Sequence, residues 1–202
     1  MKRAARWEWA LLIALLVSFA WGTWADRTQQ QLSDKVLRLH VLANSDSEAD
    51  QALKLKVRDS VLEAASAILE GCPDRETAER RLSDALPEIE DAARARIAAE
   101  GETQAVTAEL RPTRFPTREY EDFTLPAGEY LALRVVIGEG AGHNWWCVVF
   151  PPLCAETTSS LSQTAMAAGL TEDEVALITE SDGYQLKFKA VELWEKLMAY
   201  FR

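Results

Sequence analysis

The sequence predicts an α+β domain: a small, mainly antiparallel sheet with helices packed against it, preceded by an N-terminal signal or anchor helix. Three observations carry that prediction. Stretches with a two-residue apolar period recur at 36–43, 104–111, 129–137, 145–150 and 184–189, the mark of half-buried strands. Between and after them lie longer stretches with three- and four-residue apolar steps, the mark of amphipathic helices. Turn-forming residues, glycines and prolines punctuate the chain between these stretches, as at 44–47, 71–73, 101 and 112–128.

The chain opens with Lys2, Arg3, Arg6 and Glu8, then runs uncharged from Trp9 to Ala25. A basic start, a Leu-rich middle and small residues at the end fit an export signal. The run is apolar on every side, unlike a buried soluble helix. Thr23-Trp24-Ala25 or Ser18-Phe19-Ala20 would serve as an imperfect cleavage site, whereas Trp21 and Trp24 would suit an uncleaved anchor at the interface. Seventeen uncharged residues are at the lower limit for spanning, roughly 17–25. The basic flank predicts that the rest of the chain crosses to the outside. Residues 1–25 are thus read as signal peptide or membrane anchor, and 26–202 as one extracytoplasmic domain.

The whole chain has 22 Lys/Arg and 32 Asp/Glu. Without residues 1–25, which hold three of the former and one of the latter, 19 and 31 remain, a net of −12. Nucleic acid is disfavoured, because its binding needs Lys and Arg to neutralise phosphates. Adsorption to anionic lipid through a basic patch is disfavoured too, leaving the N-terminal segment as the membrane contact. A basic or neutral protein surface is the better partner class.

Within the domain, Asp26–Lys35 is polar and reads as a helical lead-in or linker. In 36–43, Leu37, Leu39 and Val41 alternate with Arg38, His40 and Leu42 as a strand, and Asn44-Ser45-Asp46-Ser47 turns the chain. Ser47 with Asp50 would open a helix to about Glu70, with Leu53, Val57, Val61, Leu62, Ile68 and Leu69 inward. Gly71 stops it and Pro73 prevents resumption. A second helix starts near Asp74 and must kink or restart at Pro87; Gly101 ends it. Val106, Ala108 and Leu110 mark the next strand, while residues 112–128, with three prolines, read as structured loop or edge.

Glu129–Ile137 and Trp145–Phe150 read as strands joined in a hairpin whose long tip is the glycine loop (Gly138, Gly140, Gly142). One or two helices fill 155–179, with Thr171-Glu172-Asp173-Glu174 as an N-terminal signature. Tyr184, Leu186 and Phe188 mark a last strand, and Val191, Trp194, Leu197, Met198 and Phe201 the apolar stripe of a C-terminal helix.

Residues 138–154 (GEGAGHNWWCVVFPPLC) are the most distinctive block. Glycines permit close approach, and Pro151 and Pro152 stiffen the exit. Trp145 and Trp146 should point to opposite faces, and an exposed Trp beside a rigid loop has the composition of a binding hot spot. A Cys147–Cys154 bridge with Cys72 free is the natural pairing for an exported chain; the odd cysteine could pair between molecules or be buried.

A catalytic set is not evident. His143 lies four residues from Cys147, but Cys147 sits within a predicted strand rather than at a helix N-terminus, where thiolate is favoured. Asp46, Glu48 and Asp50 lack the glycine and glutamate that a calcium loop needs. The glycine loop lacks the Gly-Lys-Ser/Thr of a phosphate cradle. No cofactor and no metal are expected.

Three segments, LRLHVLANSDSEADQALKLKVRDSVL (37–62), LPAGEYLALRVVIGEGAGHNWWCVVFPPLC (125–154) and YQLKFKAVELWEKL (184–197), together with FPTREY (115–120), strongly resemble the stage II sporulation protein R family of endospore-forming bacteria. The resemblance implies a signalling protein rather than an enzyme. It would be exported across the forespore membrane into the intermembrane space. There it would activate a membrane-embedded aspartic protease, stage II sporulation protein GA, which processes the precursor of the early mother-cell sigma factor. Composition and family match together single out Asn44, Asp46, Glu139, Asn144, Trp145, Trp146, Pro151 and Pro152 as the receptor-binding surface, and the odd Cys72 leaves room for a homodimeric ligand. Two alternatives are a secreted hydrolase using Cys147 or Cys154, and a membrane-anchored scaffold.

Overall fold

The computed structural model describes residues 7–9, 11–16, 18, 29–120, 122–153 and 158–179. The predicted strand at 184–189, the C-terminal helix with Trp194, and Cys154 lie outside the described residues. So does most of the predicted signal segment. Its described parts, 7–9, 11–16 and 18, are helical, and Trp7, Trp9, Leu11, Leu12, Ile13, Leu15 and Leu16 are all exposed. Among the described residues no helix is long and apolar enough to cross a membrane.

The remainder is α+β, as expected. A four-stranded sheet is built from β1 (Leu37–Leu42), β2 (Val106–Phe115), β5 (Gly128–Ile137) and β6 (Asn144–Phe150), in the order β2-β5-β1-β6. The β2–β5 and β1–β6 pairings are antiparallel and the central β1–β5 pairing is parallel. A separate ribbon pairs β3 (Arg118–Glu119) with β4 (Thr124–Leu125). Residues 29–33 are helical, within the expected lead-in, and the longer helices are α1 (Glu48–Leu69), α2 (Arg75–Asp84), α3 (Leu86–Ala99), α4 (Thr158–Ala167) and α5 (Glu172–Thr179).

Local chemistry sets most of these boundaries. Ser47 Oγ accepts from Asp50 N at 3.2 Å and caps α1; Asp74 Oδ1 accepts from Thr77 N at 2.8 Å and caps α2. Pro87 sits in the first turn of α3, so the predicted kink is a restart: proline, whose missing N–H costs nothing at a first turn, opens a new helix. Thr171 and Glu174 form a reciprocal capping box at α5, with Glu174 Oε2 accepting from Thr171 N at 2.7 Å and Thr171 Oγ1 accepting from Glu174 N at 3.3 Å.

Each face of the sheet carries its own core. Leu37, Leu39, Val41, Val106, Leu133, Val135, Ile137, Cys147 and Val149 join Leu53, Val57 and Val61 of α1, Ala78 and Leu82 of α2, and Ile89, Ala93 and Ile97 of α3. On the other face Phe115, Tyr130, Ala132 and Val148 join Phe123 and Leu125, Leu32 and Val36, and Leu161, Ala165, Val175 and Ile178 of α4 and α5. The buried set of α1 adds Ala65 and Lys54 to the expected residues, with Leu62 and Ile68 only partly buried.

Two expectations are corrected. Strand β2 continues through Pro112 to Phe115, because as an edge strand it can seat a proline that donates no ladder bond. Strands β5 and β6 do not form a hairpin: β1 lies between them. All six residues of β1 are buried, and a strand buried on both faces belongs inside a sheet rather than at its edge. The alternation of leucines with Arg38 and His40 had suggested one wet face, but both polar residues are buried.

Candidate functional site

Because β1 separates β5 from β6, the loop at 138–143 must cross the end of β1 to reach its strand. It does so against the turn that leaves β1. Gly142 N donates to Ala43 O at 3.0 Å and Ala141 N to Asn44 O at 3.2 Å. The glycine-rich loop and the Asn44–Ser47 turn therefore form one surface at the end of the sheet where the parallel strands β1 and β5 terminate. They lie 90 or more residues apart in sequence, where composition and family match group them in one surface and the backbone bonds now join them.

The glycines make this approach possible. Gly138 has φ +57, and a Cβ there would collide with Asn44 Oδ1. A Cβ on Gly142 would run into the backbone carbonyl of Ser45. Asn44 acts as the clasp: its Oδ1 accepts from Glu139 N at 3.0 Å, and its Nδ2 donates to Asp50 Oδ2 at 3.0 Å. Ser45 Oγ donates to the same Asp50 oxygen at 2.5 Å. Gln51 Nε2 donates to Ser45 O at 2.9 Å. Lys54, buried on α1, donates to His143 O at 2.9 Å and to Gln51 Oε1 at 2.6 Å. Asp46 Oδ1 accepts from His143 N at 2.6 Å and also contacts His143 Nδ1.

The predicted site residues divide into three groups. Asp46, Glu139 and Asn144 are exposed at this tip, together with His143. Asn144 Oδ1 lies 3.0 Å from His40 Nε2, so β1 holds it in place. Asn44 is half-buried and spent on the clasp. Trp145 and Trp146 do point to opposite faces: Trp145 packs against the helical core and Trp146 against the other. Both are half-buried, and each carries an arginine on its ring, Arg58 at 4.6 Å from Trp145 and Arg118 at 3.9 Å from Trp146, an arrangement favoured by the ring quadrupole. Pro151 is buried and Pro152 half-buried, below the tip rather than on it. Cys147 is fully buried in β6, and Cys72 is a half-buried free thiol.

Sequence reasoning missed Gln51, Lys54, Arg58 and Arg118. A lysine and a glutamine on an amphipathic helix read as solvent-facing, and only the loop crossing above them supplies carbonyls to bond.

The electrostatics tie the tip to pH in two windows. Hydrogen bonds from Ser45 and then Asn44 hold the Asp50 carboxyl below its ordinary pKa, and bonds from His143 do the same for Asp46. Burial lowers the pKa of His40, outweighing its bond to Asn144. For the two carboxylates the folded pKa is depressed. Their contribution is therefore full above the unfolded value of about 3.9 and lost as pH falls through the folded value. For His40 the unfolded chain binds the proton more readily, so stability is full above about pH 6.5 and declines as pH falls through the folded pKa.

Two outcomes follow. Stability measured by urea unfolding should fall between neutral and mildly acid pH, and His40→Gln should flatten that slope; an unchanged slope would assign it elsewhere. Gly142→Ala should destabilise the domain by about 1–3 kcal/mol, the usual cost of overpacking, and should raise amide exchange at Ala141 and His143. An unchanged exchange rate would show that the loop does not rest on the turn.

Comparison with known proteins gives a concordant result. The family model for stage II sporulation protein R matches residues 33–160, more than half of the chain. Stage II sporulation protein R of Bacillus subtilis (strain 168) is 39% identical over 147 residues, 71% of this chain and 66% of that protein. No solved structure gives a significant match. The matched span holds β1 through β6, and with them both halves of the tip. The chain belongs to the stage II sporulation protein R family, and its role lies in sporulation.

Proposed function

We propose that the chain is an exported sporulation signal that activates a membrane-embedded aspartic protease, stage II sporulation protein GA, to process the precursor of the early mother-cell sigma factor. The observation that carries this reading is the tip. Asp46, Glu139, His143 and Asn144 are exposed on two loops held rigid by the Asn44 clasp, the Lys54 bridge and the His40–Asn144 contact. A surface fixed before binding loses little entropy on docking.

Export fits the exposed apolar side chains of Trp7, Trp9, Leu11, Leu12, Ile13, Leu15 and Leu16, which suit an apolar environment. The signal would act in the space between forespore and mother cell, with 9–25 cleaved or kept as an anchor. A Cys147–Cys154 bridge would suit that compartment. Such a ligand activates by binding the active state of its receptor more tightly than the inactive one, and it shifts that equilibrium only by the difference in affinity. Two acidic side chains at the tip favour a basic or neutral receptor surface.

Among the described residues, which do not include Cys154, the hydrolase alternative draws no support from the geometry. Cys147 is wholly buried, in the strand face covered by helices, and His143 is exposed and engaged by Asp46.

The test is reconstitution in a non-sporulating host, with this chain, the protease and the sigma-factor precursor expressed together. Shortening of the precursor should require both the chain and the protease's own aspartate. Asp46→Ala with Glu139→Ala should reduce it about tenfold or more, a loss of about 1.4 kcal/mol of coupling, whereas Glu88→Ala on α3 should leave it unchanged. No shortening with a folded, exported chain would overturn the proposal.

A further inference from the structure

We propose that the face of the sheet opposite α1, α2 and α3 holds a carboxylate-binding site, centred on Arg38 and roofed by the β3–β4 ribbon. The site adjoins the tip through His40, which holds Asn144, but is independent of the function proposed above.

Arg38 is fully buried near the middle of β1, paired across the backbone with Ala132 on one side and Val148 on the other. An arginine so placed keeps its charge and ordinarily has a carboxylate beside it. Among the described residues no carboxylate pairs with this one. Its guanidinium lies between two rings, 4.0 Å from the Phe115 centroid and 5.0 Å from that of Tyr130. Nη2 donates to Tyr120 Oη at 2.7 Å, while Nε and Nη1 have no hydrogen-bond partner. Two residues along on the same face, Nδ1 of buried His40 is also without one.

Aromatic faces can hold a desolvated guanidinium, but they leave its N–H groups unanswered. Buried donors without acceptors are costly, and a bound anion would satisfy both and neutralise the charge. The surroundings reinforce the choice of an anion in a chain that is acidic as a whole. Arg118 stands on β3, its guanidinium over Trp146. Arg134, the β5 residue paired with His40, is already engaged by Glu109 at 2.9 Å and adds no free charge. A single guanidinium among aromatic rings suits a small planar monoanion, which is the description of a carboxylate.

The roof is suited to opening. Only two residue pairs join β3 to β4, and the ribbon is not part of the main sheet. A two-stranded ribbon is marginal by itself. The Arg38–Tyr120 bond and the Tyr120–Phe123 stack, with centroids 4.5 Å apart, hold its tip down. Lifting Tyr120 would uncover the guanidinium.

The test uses the full-length chain in detergent, with the Arg38 Nε–H resonance assigned by its loss in Arg38→Lys. Acetate is one probe and a short glutamate-containing peptide the other; chloride at equal ionic strength is the control. Acetate should shift that resonance saturably and raise the melting temperature, and Arg38→Met should weaken the effect at least about tenfold, as expected for lost charge-assisted hydrogen bonds. A shift with the peptide alone would also support the site and assign the carboxylate to a polypeptide rather than a free metabolite. Arg38→Met could fail to fold, but the resonance in the unaltered chain decides the matter without it. If neither probe moves that resonance beyond the chloride control, the proposal is overturned.

Discussion

Everything in this molecule follows from the burial of β1 on both faces. Six consecutive residues, Leu37 to Leu42, are covered above and below. A strand in that position must have neighbours on both sides, and β1 takes β5 in parallel and β6 antiparallel. That insertion forces the chain between β5 and β6 to climb over the end of β1, which needs glycines where it grazes Asn44 and Ser45. The same insertion places two polar residues, Arg38 and His40, under cover. One constraint thus produces both the rigid tip and the buried cation.

The division of labour between the two faces is equally physical. The face under α1, α2 and α3 is nearly all aliphatic, so its core depends on close packing rather than on directional polar contacts. The other face mixes aromatic rings, a guanidinium and an imidazole, and such groups stabilise a structure only in particular arrangements. Trp145 and Trp146, adjacent in sequence, mark the boundary: each enters a different core and each is capped by an arginine from a different element. Replacing either therefore perturbs a core as well as a surface, and the exposed residues Asp46, Glu139 and His143 report on recognition more cleanly.

What the sequence made legible was local. The Ser47 and Asp74 caps, the stops at Gly71 and Gly101, the restart at Pro87 and the Thr171–Glu174 box each depend on chemistry within four residues, and each stands in the structure. Strand positions were legible from their period, but strand order was not. Nothing in the alternation of 36–43 announces that Arg38 and His40 are buried, so β5 and β6 were joined as neighbours. The tip was legible as one surface drawn from two distant segments. Their contact, and the parts played by Lys54 and Gln51 beneath them, arise only once β1 is threaded between its neighbours. Pro151, which composition placed on the surface, is buried, and Pro152 is half-buried.

The central claim is that the tip, formed where the 138–143 loop crosses the Asn44–Ser47 turn, is the face the protease engages. The most direct measurement is site-specific photo-cross-linking in cells, with the reactive residue placed at Glu139 on the tip or at Glu88 on the helical layer. The account predicts an adduct with the protease from Glu139 and none from Glu88. An adduct from Glu88 with none from Glu139 would contradict it and move the docking face to the helices.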